Sequence, residues 1–115
     1  MSEDARAAMI GQIKGALTFP KEIEDDFAGL VADVVMTGVW SRPGLSARDR
    51  SLITIAALTA RNCPNELQIH IGLGLDNGLS KDEICETIMH MAVYGGFPVA
   101  VEGMRVATEV FEGRA

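Results

Sequence analysis

From Ser46 onward, helix starts and stops alternate at short intervals, and apolar residues recur between them at helical spacing. Ser46 with Asp49 three residues later is a capping signature. Leu52, Ile53, Ile55, Ala56 and Leu58 follow as an apolar set. Asn62-Cys63-Pro64 ends that segment and opens the next, because proline fits the first turn of a helix, where its missing N–H is not needed. The second of these helices is expected to run to Asp76, where Asn77-Gly78 supplies a left-handed stop. Ser80 with Glu83 is another capping pair and opens a helix that reaches about Tyr94. Gly95-Gly96 interrupts the chain, and Pro98 starts a last helix ending near Phe111. Punctuation of this kind favours a stack of short helices.

The first part of the chain is less sharply marked. Ser2 to about Gly15 reads as a short helix with a weak apolar stripe of Ala5, Ala8, Met9 and Ile13. Pro20 starts the next segment. Glu22, Glu24, Asp25 and Asp26 fill its first turns, where acids favour the positive end of the helix dipole. Phe27, Leu30, Val31, Val34 and Val35 then repeat at helical spacing, and Arg42-Pro43-Gly44 breaks the chain. Val34 to Val39 carries β-branched residues, but the helical context on its left argues against a strand. Polar and apolar residues nowhere alternate long enough to predict one. The expected fold is all-α, a single-domain bundle of about six helices over residues 1–115.

Composition adds two limits and one oddity. A chain of 115 residues has room for one domain. Hydrophobic residues at 48% exclude a disordered chain, and a net charge of −6 lacks the basic footprint of a nucleic-acid binder. Mean hydropathy is nevertheless positive at +0.18, with aromatics at only 5%, so the apolar surplus is aliphatic. It is concentrated at Ile53–Leu58 and Ile88–Val101, on more helix faces than one small core needs. That pattern predicts self-association. The run from Ile88 to Val101 is too short and too interrupted to span a bilayer. Two cysteines make a weak disulfide framework, and Met1 to Arg6 carries no apolar stretch like that of a signal peptide. A cytoplasmic protein with no membrane partner is expected.

The densest polar cluster on an apolar background is Cys63, Glu66 and His70. Glu66 and His70 are four apart and share a helix face, with Cys63 two turns before His70. A carboxylate beside an imidazole can fix its tautomer or raise its pKa, which suits proton transfer; the same spacing also describes an ordinary exposed ion pair. Cys63 lies near a helix N-terminus, which favours a reactive thiolate, whereas most free cysteines are small buried hydrophobes. Cys85, in a helix interior, fits the second description. His90 sits in an apolar run, as a hydrogen-bonded core residue or as a partner for His70. A metal site of Glu66, His70 and His90 would not follow a recognised ligand spacing, so none is expected. Arg42, Arg48 and Arg50 form either an anion clamp or a set of salt bridges.

Trp40-Ser41-Arg42-Pro43-Gly44-Leu45 followed by Arg48-Asp49-Arg50-Ser51-Leu52 resembles the carboxymuconolactone decarboxylase family. Glu66-Leu67-Gln68-Ile69-His70, Asp76-Asn77-Gly78-Leu79-Ser80 with Glu83-Ile84, and Tyr94-Gly95-Gly96-Phe97-Pro98 with Ala100 continue the likeness. It covers roughly Phe27 to Phe111. The resemblance implies the helical fold shared with alkylhydroperoxidase D, assembled as a trimer or hexamer. It implies two activities, decarboxylation of γ-carboxymuconolactone or thiol-dependent peroxide reduction. The peroxidase pattern is Cys-x-x-Cys-x-x-x-His with an upstream Glu. Here Cys63 and His70 match, but Glu66 occupies the second cysteine position and Ser51 the upstream Glu position. A dithiol relay needs a resolving thiol, so the decarboxylase branch is favoured and a peroxidase using Cys63 is the alternative.

Loss of CO2 from a carboxylated lactone sends electrons into the substrate's own carbonyl, so no cofactor is required. His70 is then the expected proton donor and Glu66 its orienting partner. Arg42 or Arg48 would face the developing enolate oxygen, with His90 as a further substrate-binding residue.

Overall fold

A computed structural model of the chain describes residues 1–114, which contain six α-helices, one π-helical stretch and no strand. The chain, read from its sequence as one domain, gathers its contacts into two compact units, residues 1–44 and residues 45 onward.

The first unit holds α1 (Glu3–Ala16), α2 (Glu24–Leu30) and a π-helical stretch, Val31–Trp40. Ser2 caps α1, its hydroxyl oxygen accepting from the Ala5 N–H at 3.1 Å. No residue of α1 is buried, in keeping with its weak stripe. Two polar links tie it down. Arg6 donates to both carboxylate oxygens of Asp33 at 2.9 Å, and Lys14 reaches Glu24 at 3.2 Å and Asp25 at 2.7 Å. The second helix begins at Glu24 rather than at Pro20, because the Pro20 carbonyl first accepts from the Ile23 N–H in a turn. After Leu30 the helix widens. Ser41 N–H donates to the Met36 carbonyl five residues back, at 3.1 Å, the bond that defines a π turn.

The second unit holds α3 (Ala47–Ala60), α4 (Pro64–Asp76), α5 (Lys81–Tyr94) and α6 (Phe97–Gly113). Their ends lie where the sequence punctuation puts them. The Ser46 hydroxyl accepts from Asp49 N–H at 3.0 Å, and Ser80 with Glu83 forms a complete capping box. Gly78 and Gly96 take φ of +103° and +109°, a region that L side chains rarely enter, so the chain can reverse there. One stripe from each helix meets in the core: Ile55 of α3, Leu67 and Ile71 of α4, Ile84 and Ile88 of α5, Val106 of α6. Each such side chain contributes about 1.5–3 kcal/mol when fully buried. The core leaves α4 and the α3/α5 pair with free flanks, and these carry the polar residues of interest.

Candidate functional site

On α4, Leu67, Ile71 and Gly74 face the core. Glu66 and His70 fall on the adjoining flank, Glu66 exposed and His70 half-buried. Burial pushes the His70 imidazole below its ordinary value, because the charged form loses hydration. The Glu66 carboxylate acts in the opposite sense and is the smaller influence. The spacing correctly places an acid beside this imidazole, but its pKa falls rather than rises. His70 is therefore held toward its neutral form, and its imidazolium is a stronger acid than that of an exposed histidine.

Cys63 is the residue before α4, half-buried, with Pro64 in the first turn. Its sulfur lies 3.7 Å from the Arg61 carbonyl as a weak donor. Cys63 and Cys85 are both free thiols. Arg48 donates through Nη2 to Glu83 and through Nη1 to Asp49 at 3.3 Å. Glu83 is itself the capping-box acid of α5, and its carboxyl is held below the usual range by the Ser80 N–H first and by Arg48 after it. The guanidinium thus already has two carboxylate partners and ties the starts of α3 and α5 together. Arg42 lies exposed in the first unit, in the turn that follows the π-helical stretch, its N–H donating to the Val39 carbonyl at 3.1 Å.

His90 is exposed, which corrects the expectation of a core histidine. It lies on the flank of α5, its ring packed at a tilt against Tyr94, with centroids 4.9 Å apart. There it lines a groove of about 400 Å³ between α3 and α5. Leu52, Ile53, Ala56 and Met91 make the apolar walls, and Glu86 and His90 supply polar groups. Thr87 also lines the groove, its hydroxyl donating back to the Glu83 carbonyl at 2.8 Å. Glu86 was not singled out from the sequence, although Glu86 and His90 repeat the four-residue spacing of Glu66 and His70. Among the described residues, no group of three or more His, Cys, Asp or Glu side chains could hold a metal ion. No helix among them is long and apolar enough to cross a membrane.

Comparison with known proteins agrees with the motifs. The pattern of the carboxymuconolactone decarboxylase family matches residues 25–109. The chain is 35% identical over 111 residues to 4-carboxymuconolactone decarboxylase of Acinetobacter baylyi, covering 95% of this chain and 83% of that protein. It is 36% identical over 77 residues to nitrosuccinic acid decarboxylase of Metarhizium robertsii, covering 67% of this chain and 54% of that protein. An uncharacterized 15.0 kDa protein of Paracoccus denitrificans is 35% identical over 74 residues, 63% of this chain and 55% of that protein.

Proposed function

Because this chain belongs to the carboxymuconolactone decarboxylase family, we propose that it is a cofactor-independent decarboxylase of a carboxylated lactone, such as γ-carboxymuconolactone, or of a related small acid. The two named relatives act on molecules that share one property. The electron pair left behind by CO2 can pass into a group already present, a lactone carbonyl in one and a nitro group in the other. Such a substrate supplies its own electron sink. The protein then has to hold the acid, stabilise the oxygen that gathers charge, and deliver one proton.

His70 carries the last task, and the observation that supports it is its half-buried place beside Glu66. A substrate carboxylate arriving near His70 favours the imidazolium, so the proton is loaded with the substrate. The C–C bond to the carboxylate then breaks, CO2 leaves, and the pair moves into the sink as an enolate. The imidazolium gives its proton to carbon and returns to the neutral form that burial favours. Solvent reloads the ring for the next turnover. Glu66 orients the imidazole and balances its charge. Arg48 is the donor for the developing oxygen in this unit, through exchange of one of its two carboxylate partners.

The His70→Ala variant tests this assignment in a decarboxylation assay. A loss of at least about 100-fold in kcat is expected, the low end of what a general acid contributes. Undiminished turnover would remove His70 from the reaction.

A further inference from the structure

We propose that Glu83 is a positioning residue for the reaction: it keeps Arg48 by Nη2 while Nη1 leaves Asp49 for the substrate oxygen that gathers charge. This rests on the decarboxylase reading, which makes Arg48 the donor to that oxygen, and it decides which of the two carboxylates gives way. Three observations point to it. The first is that the two pairings are unequal. Nη1 lies 3.3 Å from the Asp49 carboxylate, longer than the about 2.7–2.9 Å of a strong charge-assisted bond, whereas Nη2 makes the closer bond, to Glu83 Oε2.

The second is that Glu83 is itself held. Its Oε1 accepts from the Ser80 N–H at 2.9 Å, and its own N–H donates to the Ser80 hydroxyl at 3.0 Å. Oε2 takes Arg48, so the carboxylate cannot turn without breaking a bond. A guanidinium is a planar fork, and fixing one nitrogen on a fixed carboxylate limits where the other can point. The third is what each acid loses when Arg48 lets go. Asp49 has a side chain 51% exposed and stays in the first turn of α3, where the helix dipole favours an anion. Water can replace Nη1 there at little cost. Giving up Glu83 instead would break the tie between the starts of α3 and α5 and free the whole fork. Exchange at Asp49 therefore delivers an N–H to the substrate while the rest of the guanidinium stays in place.

Steady-state kinetics with γ-carboxymuconolactone, alongside denaturant titration of each variant, test this role. Glu83→Gln keeps the cap, because glutamine also serves in a capping box, but turns an NH2 group toward Arg48. It should unfold near the native midpoint, with KM not raised and kcat lowered about tenfold, the low end for a hydrogen bond to a charged group. Asp49→Asn should lower KM about threefold, because Nη1 no longer surrenders an anionic partner. Ser80→Ala, which removes the hydroxyl of the cap and leaves the Arg48–Glu83 pair, should lower the midpoint and keep the native kcat. Native kcat in Glu83→Gln, or an equal loss of kcat in Ser80→Ala, would reduce Glu83 to a cap and overturn the proposal. A loss of about tenfold in the kcat of Asp49→Asn would make Asp49 the retained partner and overturn it too. No turnover by the native chain would remove the decarboxylase reading and this role with it, whereas the other outcomes leave that reading standing.

Discussion

Spacing in the sequence places Glu66 beside His70 and leaves the direction of the imidazole's pKa open. The four-residue spacing to Glu66 is a property of the helix and was readable directly. The net direction of the pKa shift depends on how much water the fold removes from the imidazole, and spacing does not contain that. The consequence is a pH profile. Substrate and proton enter together, so kcat/KM follows the protonated fraction of the free enzyme, and burial places the His70 pKa below the ordinary histidine value of about 6.5. The fraction carrying the proton is full below that folded value and falls as pH rises through it. Initial-rate measurements should therefore find kcat/KM constant at low pH and then falling about tenfold per unit across the neutral range. The bound carboxylate raises the value in the complex, so kcat should hold to higher pH than kcat/KM. A kcat/KM that climbs through neutrality would mean that the neutral imidazole is the working form. Glu86 was missed at this scale although its spacing to His90 is the same. Its neighbours in sequence are unremarkable, and only the packing of α3 beside α5 gives it a groove to line.

At the scale of elements, punctuation was the most legible feature. Capping residues act on backbone groups a few positions away, so Ser46, Ser80 and Pro64 carry their meaning locally. The π-helical stretch was not legible, because no residue type marks a five-residue hydrogen-bond register. Nor was the start of α2, where an early turn delays the helix by a few residues. Close helix approach is a tertiary property too. A Cβ at Gly103 would lie 3.0 Å from Ile88 Cγ2 and 3.1 Å from Thr59 Cγ2, so α6 packs against α5 and α3 through the absence of a side chain. Gly103→Val should lower unfolding stability by about 1–3 kcal/mol through overpacking, measured by denaturant titration. An equal or higher midpoint would show that these helices can separate at little cost.

At the scale of the molecule, the apolar surplus seen in the composition has a location. Met89, Val93, Tyr94, Phe97 and Val101 are 54–76% exposed across the end of α5 and the start of α6, far more apolar surface than scattered exposure produces. Sequence could show that this stretch was greasier than a small core requires. It could not show which side chains the core would leave outside. We propose that this surface is covered by self-association into a trimer or hexamer, so mass measured in solution at micromolar concentration should be three or six times 12.3 kDa. A single-chain mass would contradict it. The reaction proposed for this chain is decarboxylation with proton delivery rather than thiol chemistry. The most direct measurement is CO2 release from γ-carboxymuconolactone by the purified native chain and by Cys63→Ser. Equal, enzyme-dependent release by both is predicted. No release by either, or hydroperoxide reduction that disappears in Cys63→Ser, would contradict it.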